Sequence, residues 1–488
     1  MNLDGKSLTI DAAVSVANGE RVKLKETSLR RMEKLRSLLE RKLSKGEVVY
    51  GVNTGFGSLS ERRVSPSDIG SLQLNLIRSH AAGVGDHMPD EVVRAAIAIR
   101  LNSLLNGNSG VRPEVAETMA QLLNKRVTPH VPEFGSLGAS GDLVPSAHMA
   151  LTVVGEGRAE YRGKCMDAAA ALSRAQVKPL TLKAKEGLSL INGTCFTNAL
   201  ACVVLHRAIV LLGIANTCVA LVGEATGACS QSFDPRLVGM KKDSGQDQVA
   251  KEIMGILSTS ERIRESPIPQ DPYSVRCAPQ VHGSLKDALD FANKLTEDEM
   301  NSVSDNPVIM DDGTMLHGGN FHAQPLALAM DMLAIALASV GVMSLARVGL
   351  LLSRTTSEKK YMANRPGLES GLMILQYTST ALAAENSKDV HPVSAYPANV
   401  SAGIEDHASH GVSAGLKALA MTRNISRMLA IELICASNLV GKDLAGYSGH
   451  SMETLAACRK VSPLLDGDRA MSAEIEELAS LLTVRTRA

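Results

Sequence analysis

The sequence predicts a mostly α-helical protein built around long buried helices, and three observations carry that prediction. Apolar residues recur at spacings of three and four along several segments, with helix start and stop residues near the ends. Two stretches, about residues 187–223 and 326–352, are apolar on nearly all sides, as helices inside a bundle or at a subunit interface are. Strand signals are few.

In chain order, Ser28 reads as the cap of a helix carrying Met32, Leu35, Leu39 and Leu43 and stopping at Gly46. Pro89-Asp90 opens a second, with Val93, Ile97, Leu101 and Leu104, ending at Gly107. Pro113 starts a third through Val115, Met119 and Leu122. A short hairpin is expected around Gly157 to Gly163. Ser284 is expected to start a helix through Leu285, Leu289, Ala292 and Leu295. A second hairpin falls in PVIMDDGTMLHGG, where Asp312-Gly313 suits a tight turn. The stretch Met332 to Ala346, bounded by Asp331 and Arg347, is shorter than the ~20 apolar residues of a membrane span and reads as a buried core helix.

Composition narrows the function. The chain has 488 residues, with 51 basic and 51 acidic side chains and no formal net charge, so nothing favours nucleic acid or an anionic membrane. Aromatics are 3% with no tryptophan, which argues against base-stacking platforms. Eight scattered cysteines without a CxxC pair read as reduced, buried thiols of a cytoplasmic protein. The first residues, MNLDGKSLTIDAAVSV, lack a signal-peptide pattern. Helices apolar all round need partners, so a homo-oligomer is expected.

The chemistry starts at GSLGASGDLVPSAHMAL, Gly135 to Leu151. Alone, Ala139-Ser140-Gly141 reads as a turn or a helix cap by Ser140 or Asp142. It can also condense: the unhindered nitrogen of Gly141 can attack the carbonyl carbon of Ala139, and loss of water closes a five-membered ring. A second water lost from Ser140 leaves an exocyclic methylene. The product, a methylidene-imidazolone, is an electrophile made from the chain itself, with no external cofactor. No unmodified side chain is a good electrophile.

That string closely resembles the signature of the aromatic amino-acid ammonia-lyase family, in which the tripeptide cyclises in this way, and the resemblance runs over nearly the whole chain. It implies a long-helix bundle of the aspartase/fumarase-like type, with a smaller α+β head carrying the cyclised loop. The division expected is residues 1–185 for the head and 186–488 for the helical body and C-terminal cap. It also implies a homotetramer with active sites assembled from more than one subunit.

YGVNTGFGSLS resembles the family's inner loop and brings Tyr50 as a proton-transfer residue; with no GK[ST] following, a phosphate-binding loop is the weaker reading. LINGTCFTNAL brings Asn192, near the electrophile and the substrate carboxylate. QDPYSVRCAPQ brings Gln270, Tyr273 and Arg276; the resemblance gives Arg276 the substrate carboxylate, which a guanidinium fork grips through two parallel hydrogen bonds. NSVSDNPVI matches too, and HGGNFHAQP brings Phe321 as an active-site wall.

Two places bear on the substrate. Ser79-His80 and Glu405 match the members acting on histidine, where a buried carboxylate can accept an imidazole N–H that a phenyl ring lacks. Gly403-Ile404 departs from the Asn-Gln common there. The reaction implied is L-histidine to trans-urocanate and ammonia. Tyr50 is the first candidate for the β-proton base and Glu405 the second. A tyrosine ordinarily titrates near ~10 and needs a positive neighbour or hydrogen-bond donor to serve as a base. Tyr273 is cast as a donor steadying developing charge or the electrophile, and the resemblance has His80 contact the imidazole or position Glu405. Alternatives are a phenylalanine or tyrosine ammonia-lyase, an aminomutase, and a helical scaffold that lost the chemistry. A metal cluster of Glu405, His407 and His410 with His317 and His322 lacks HEXXH and a clear third ligand, and no metal is assigned.

Overall fold

The computed structural model describes residues 1–264 and 270–483. Helices dominate it. The longest are Cys195–Thr226, Ala278–Met300, Gln324–Ser353 and Gly411–Val440, of 32, 23, 30 and 30 residues. Strands among the described residues are short and form small sheets. Both predicted hairpins form: Arg158–Tyr161 pairs with Lys164–Asp167, and Val308–Ile309 with Met315–Leu316. In the second, Gly313 takes φ +85°, the left-handed conformation the turn requires.

The chain gathers into two compact units, each discontinuous in sequence: Met1–Val203 with Ala292–Met330 and Pro392–Leu416, and Val204–Phe291 with Asp331–His391 and Lys417–Ala488. A single division near residue 185 does not describe them.

Two helix starts differ from the sequence reading. Ser28 lies inside the Glu26–Ser44 helix, capped at Lys25, and its hydroxyl donates to the Asp4 carbonyl at 2.9 Å. Ser284 lies inside Ala278–Met300, and its hydroxyl donates to Gln280 O one turn back at 2.9 Å. In both, a serine that can cap a helix bonds elsewhere. The Pro89-Asp90 and Pro113 starts hold, in Asp90–Leu104 and Pro113–Lys125.

The apolar stretch 332–346 is part of a longer helix, Gln324–Ser353, which by length and composition could cross a bilayer. Its flanking charges are buried and paired: Asp331 with Lys417, and Arg347 with Glu432 through Nε–Oε1 at 2.5 Å. Leu333, Leu337 and Val340 are buried. It is a packed helix whose other side, with Met332, Ile335 and Val342, is exposed.

Candidate active site

The Ala139-Ser140-Gly141 loop precedes the Leu143–Val153 helix and is clamped from three sides. Gly141 has φ +77° and forms a parallel bridge with Gly193; Asp142 N–H donates to Gly193 O at 2.7 Å. A Cβ on Gly141 would lie 2.3 Å from that oxygen, so only glycine fits. On the second side, the Asp142 carboxylate accepts from Thr197 N–H at 2.7 Å and from its hydroxyl at 2.8 Å. On the third, Ser409 N–H and hydroxyl each donate to Gly138 O at 3.2 Å, and His410 N–H donates to Leu137 O at 3.1 Å. Burial pushes the Asp142 carboxyl up to about 6, although the bonds from Thr197 act against this.

Asn192 ends the Glu186–Ile191 helix. Its Nδ2 donates to Ser140 O at 3.4 Å, and its Oδ1 is buried without a partner among the described residues. The chemistry of the tripeptide, the glycine that admits no side chain and an orphaned polar atom beside Ser140 together fit a methylidene-imidazolone at 139–141.

Two cavities open on this loop, of about 420 and 670 Å³, and Tyr50, Ser140, Asn192 and Glu405 line both. The smaller is walled by Phe56, Leu72, Leu76 and Leu143 and includes Ser79 and His80. The larger is more polar, with Asn306, His317, His322 and His407 beside Ala139 and Phe321. Tyr50 Oη accepts from Gly57 N–H at 3.0 Å, a backbone donor of the kind that steadies an anionic oxygen. His80, the last residue of the Ile69–His80 helix, has Nδ1 2.8 Å from Leu76 O. That oxygen can only accept, so a hydrogen sits on Nδ1, and Nε2 is left for the substrate. Glu405 is half-buried, and its carboxylate has no hydrogen-bond partner among the described residues.

Gln270, Tyr273 and Arg276 belong to the second unit and line neither cavity. They form their own cluster: Arg276 Nη1 donates to Gln270 Oε1 at 2.6 Å, and the guanidinium lies 4.6 Å from the centre of the Tyr273 ring. Tyr273 is 68% exposed, and Arg276 Nε is buried without a partner among the described residues. Among the residues around His317, His322 and His407, the closest ring contact is a stack of His322 on His407 at 5.3 Å; burial holds the His322 imidazole below its usual range.

Sequence reasoning missed the clamp. Gly193 stood beside the quoted Asn192, but its role depends on a contact with a loop fifty residues away. Thr197 lies in the same string and Ser409 four residues past Glu405, but nothing in either segment marks a hydroxyl as a brace.

The profile of the aromatic amino acid lyase family matches residues 8–461. The histidine ammonia-lyase of Geobacillus thermodenitrificans is 41% identical over 487 residues, covering 98% of this chain and 96% of its own. That of Gloeobacter violaceus is 42% identical over 490 residues, with 98% and 95% covered. Among solved structures, histidine ammonia-lyase from Trypanosoma cruzi superposes with a TM-score of 0.91 at 34% identity, covering 99% of this chain and 92% of its own. Tyrosine aminomutase from Streptomyces globisporus does so with 0.93 at 33%, covering 99% and 96%.

Proposed function

The chain belongs to the aromatic amino acid lyase family, and on that premise we propose that it eliminates ammonia from L-histidine to give trans-urocanate. One observation carries the choice of substrate. Glu405, half-buried and unpartnered among the described residues, lines the same cavity as His80 and Ser140. A substrate imidazole N–H satisfies that carboxylate; a phenyl or phenol ring in the same place leaves it unpaired, at about 1–3 kcal/mol or more.

The methylidene-imidazolone that Ala139, Ser140 and Gly141 would form supplies an electrophile that turns the substrate amine into a leaving group. The rest falls to side chains. The apolar walls of the smaller cavity exclude water from the ring. Glu405 and His80 hold the imidazole, which fixes the β-carbon near Tyr50. Tyr50 takes the β-proton, its oxygen steadied by Gly57 N–H; Glu405 is the second candidate for this role. Asn192 faces the carboxylate and Phe321 forms a wall. Gln270, Tyr273 and Arg276 act from a neighbouring subunit, with Arg276 gripping the carboxylate and Tyr273 donating to developing charge. Their exposed cluster and the uncovered face of Gln324–Ser353 support an assembly, a homotetramer by family resemblance. The enzyme works in the cytoplasm.

Purified protein offered histidine, tyrosine and phenylalanine separately tests this. Near-ultraviolet absorbance should grow with histidine and stay flat with the others. Because of the likeness to tyrosine aminomutase, the products are also resolved by chromatography: a β-amino acid, or absorbance growing with tyrosine or phenylalanine alone, contradicts the proposal.

A further inference from the structure

Behind the clamped loop lies a buried charge cluster that the elimination does not use. Arg100 on the Asp90–Leu104 helix, Lys185 at the start of Glu186–Ile191, and Asp305 are all essentially inaccessible. Lys185 Nζ donates to Asp305 Oδ2 at 3.0 Å and to Ser189 Oγ at 2.8 Å. Arg100 Nη2 stands 3.7 Å from Asp305. The rest of the guanidinium binds backbone carbonyls: Nε donates to Ser189 O at 2.7 Å, Nη2 to the same oxygen, and Nη1 to Ser304 O at 2.7 Å. Burial lowers the Lys185 ammonium, with Asp305 opposing it, while Lys185 and Arg100 hold the Asp305 carboxyl below its usual range despite its burial.

Of the two carbonyls that Arg100 grips, that of Ser304 abuts Gly193. A Cβ on Gly193 would lie 2.4 Å from Ser304 O and 2.9 Å from Arg100 Nη1. Gly193 O in turn accepts from Asp142 N–H and sits where a Gly141 side chain would be. The contacts run in series: Lys185 holds Asp305, Asp305 faces Arg100, Arg100 grips the Ser189 and Ser304 carbonyls, and Gly193, packed against Ser304 O, backs Gly141. Stability alone does not ask for such a cluster, since well-packed apolar residues can replace buried ion pairs without loss.

We propose that Arg100, paired with Asp305, is a positioning residue for the backbone condensation: it sets the surface against which Gly141 is held so that its nitrogen meets the Ala139 carbonyl carbon. This rests on the reading that 139–141 condense. The balance is two dehydrations without a redox step. The Gly141 N to Ala139 C bond forms, and the Ala139 oxygen leaves as water with the amide hydrogens of Gly141 and Ser140. The Ser140 hydroxyl then leaves as water with the hydrogen on its Cα.

Intact-protein mass, followed over time as never-folded chains recovered from inclusion bodies are refolded, is the test, with circular dichroism and thermal melting confirming a folded chain. Wild-type protein ends two waters lighter than its sequence. Arg100→Met, of similar length and apolar, should fold yet condense about 100-fold more slowly, the effect expected when reacting groups are displaced by about 1 Å. Arg100→Lys should recover part of the rate. Asp305→Asn, which keeps volume and frees Arg100, should be slowed in the same sense, and it decides the matter if Arg100→Met is insoluble. Condensation at the wild-type rate in a folded Arg100→Met or Asp305→Asn overturns the proposal. Wild-type protein that stays at its full sequence mass instead overturns the reading on which it rests.

Discussion

At the scale of single residues, the roles separate by what each side chain touches. Tyr50 offers one oxygen to the cavities and already receives Gly57 N–H. Tyr50→Phe keeps the ring and removes the base, so kcat should fall by about 10²–10⁴-fold with an unchanged melting temperature; near-normal turnover would move the role to Glu405. Glu405→Gln keeps the shape and removes the charge that favours an imidazole N–H. The ratio of kcat/KM for histidine to that for phenylalanine should then fall by about 10- to 100-fold, read in parallel assays. Asp142 supplies a pH signature. Its carboxyl is raised to about 6 from an ordinary 3.8, so the folded state binds the proton more tightly than the unfolded state does. Stability contributed by the protonated form is present at low pH and is lost as pH rises through that window. The melting temperature of Asp142→Asn relative to the parent should therefore shift in the variant's favour between about pH 4 and 7; a flat difference would contradict the assignment. Tyr50 and Glu405 were picked out as candidates because each sits in a motif whose residue types match the chemistry. Thr197 and Ser409 were not, because a hydroxyl that braces a loop has no local pattern.

At the scale of elements, the sequence marked helices well and their starts less well. Apolar spacing fixes which face is buried, as for Leu35, Leu39 and Met32. A serine near a helix start has several uses: Ser28 and Ser284 both spend their hydroxyls on a carbonyl instead of a cap. The site is an assembly of element ends: the close of Ile69–His80 gives His80, the close of Glu186–Ile191 gives Asn192, and the approach to Leu143–Val153 gives the tripeptide. Gly193 joins two of these, with φ +138° and no room for a side chain. Gly193→Ala should therefore destabilise the fold by about 1–3 kcal/mol, measured by denaturant unfolding, and leave most chains uncondensed by mass. A stable, fully condensed Gly193→Ala would mean that the turn yields easily and is no brace.

At the scale of the whole molecule, the long apolar helices announced both a core and partners. On Gln324–Ser353, Leu333 and Leu337 join the core, while the exposed Met332, Ile335 and Val342 form the face we propose a partner subunit covers. The grouping of the chain into two discontinuous units was not legible, since units drawn from three separated stretches leave no composition break along the sequence. If Gln270, Tyr273 and Arg276 serve a neighbour's cavity, breaking the assembly must cost activity. Ile335→Asp should give a smaller species in sedimentation and lose turnover while the chain remains condensed; full activity in a monomer would refute shared sites. All of this depends on the backbone's becoming an electrophile, and the tryptic peptide Val127–Arg158 carries that change. Taken from freshly purified protein that turns over histidine, it should weigh two waters less than its sequence. An unmodified peptide from equally active protein would contradict the account.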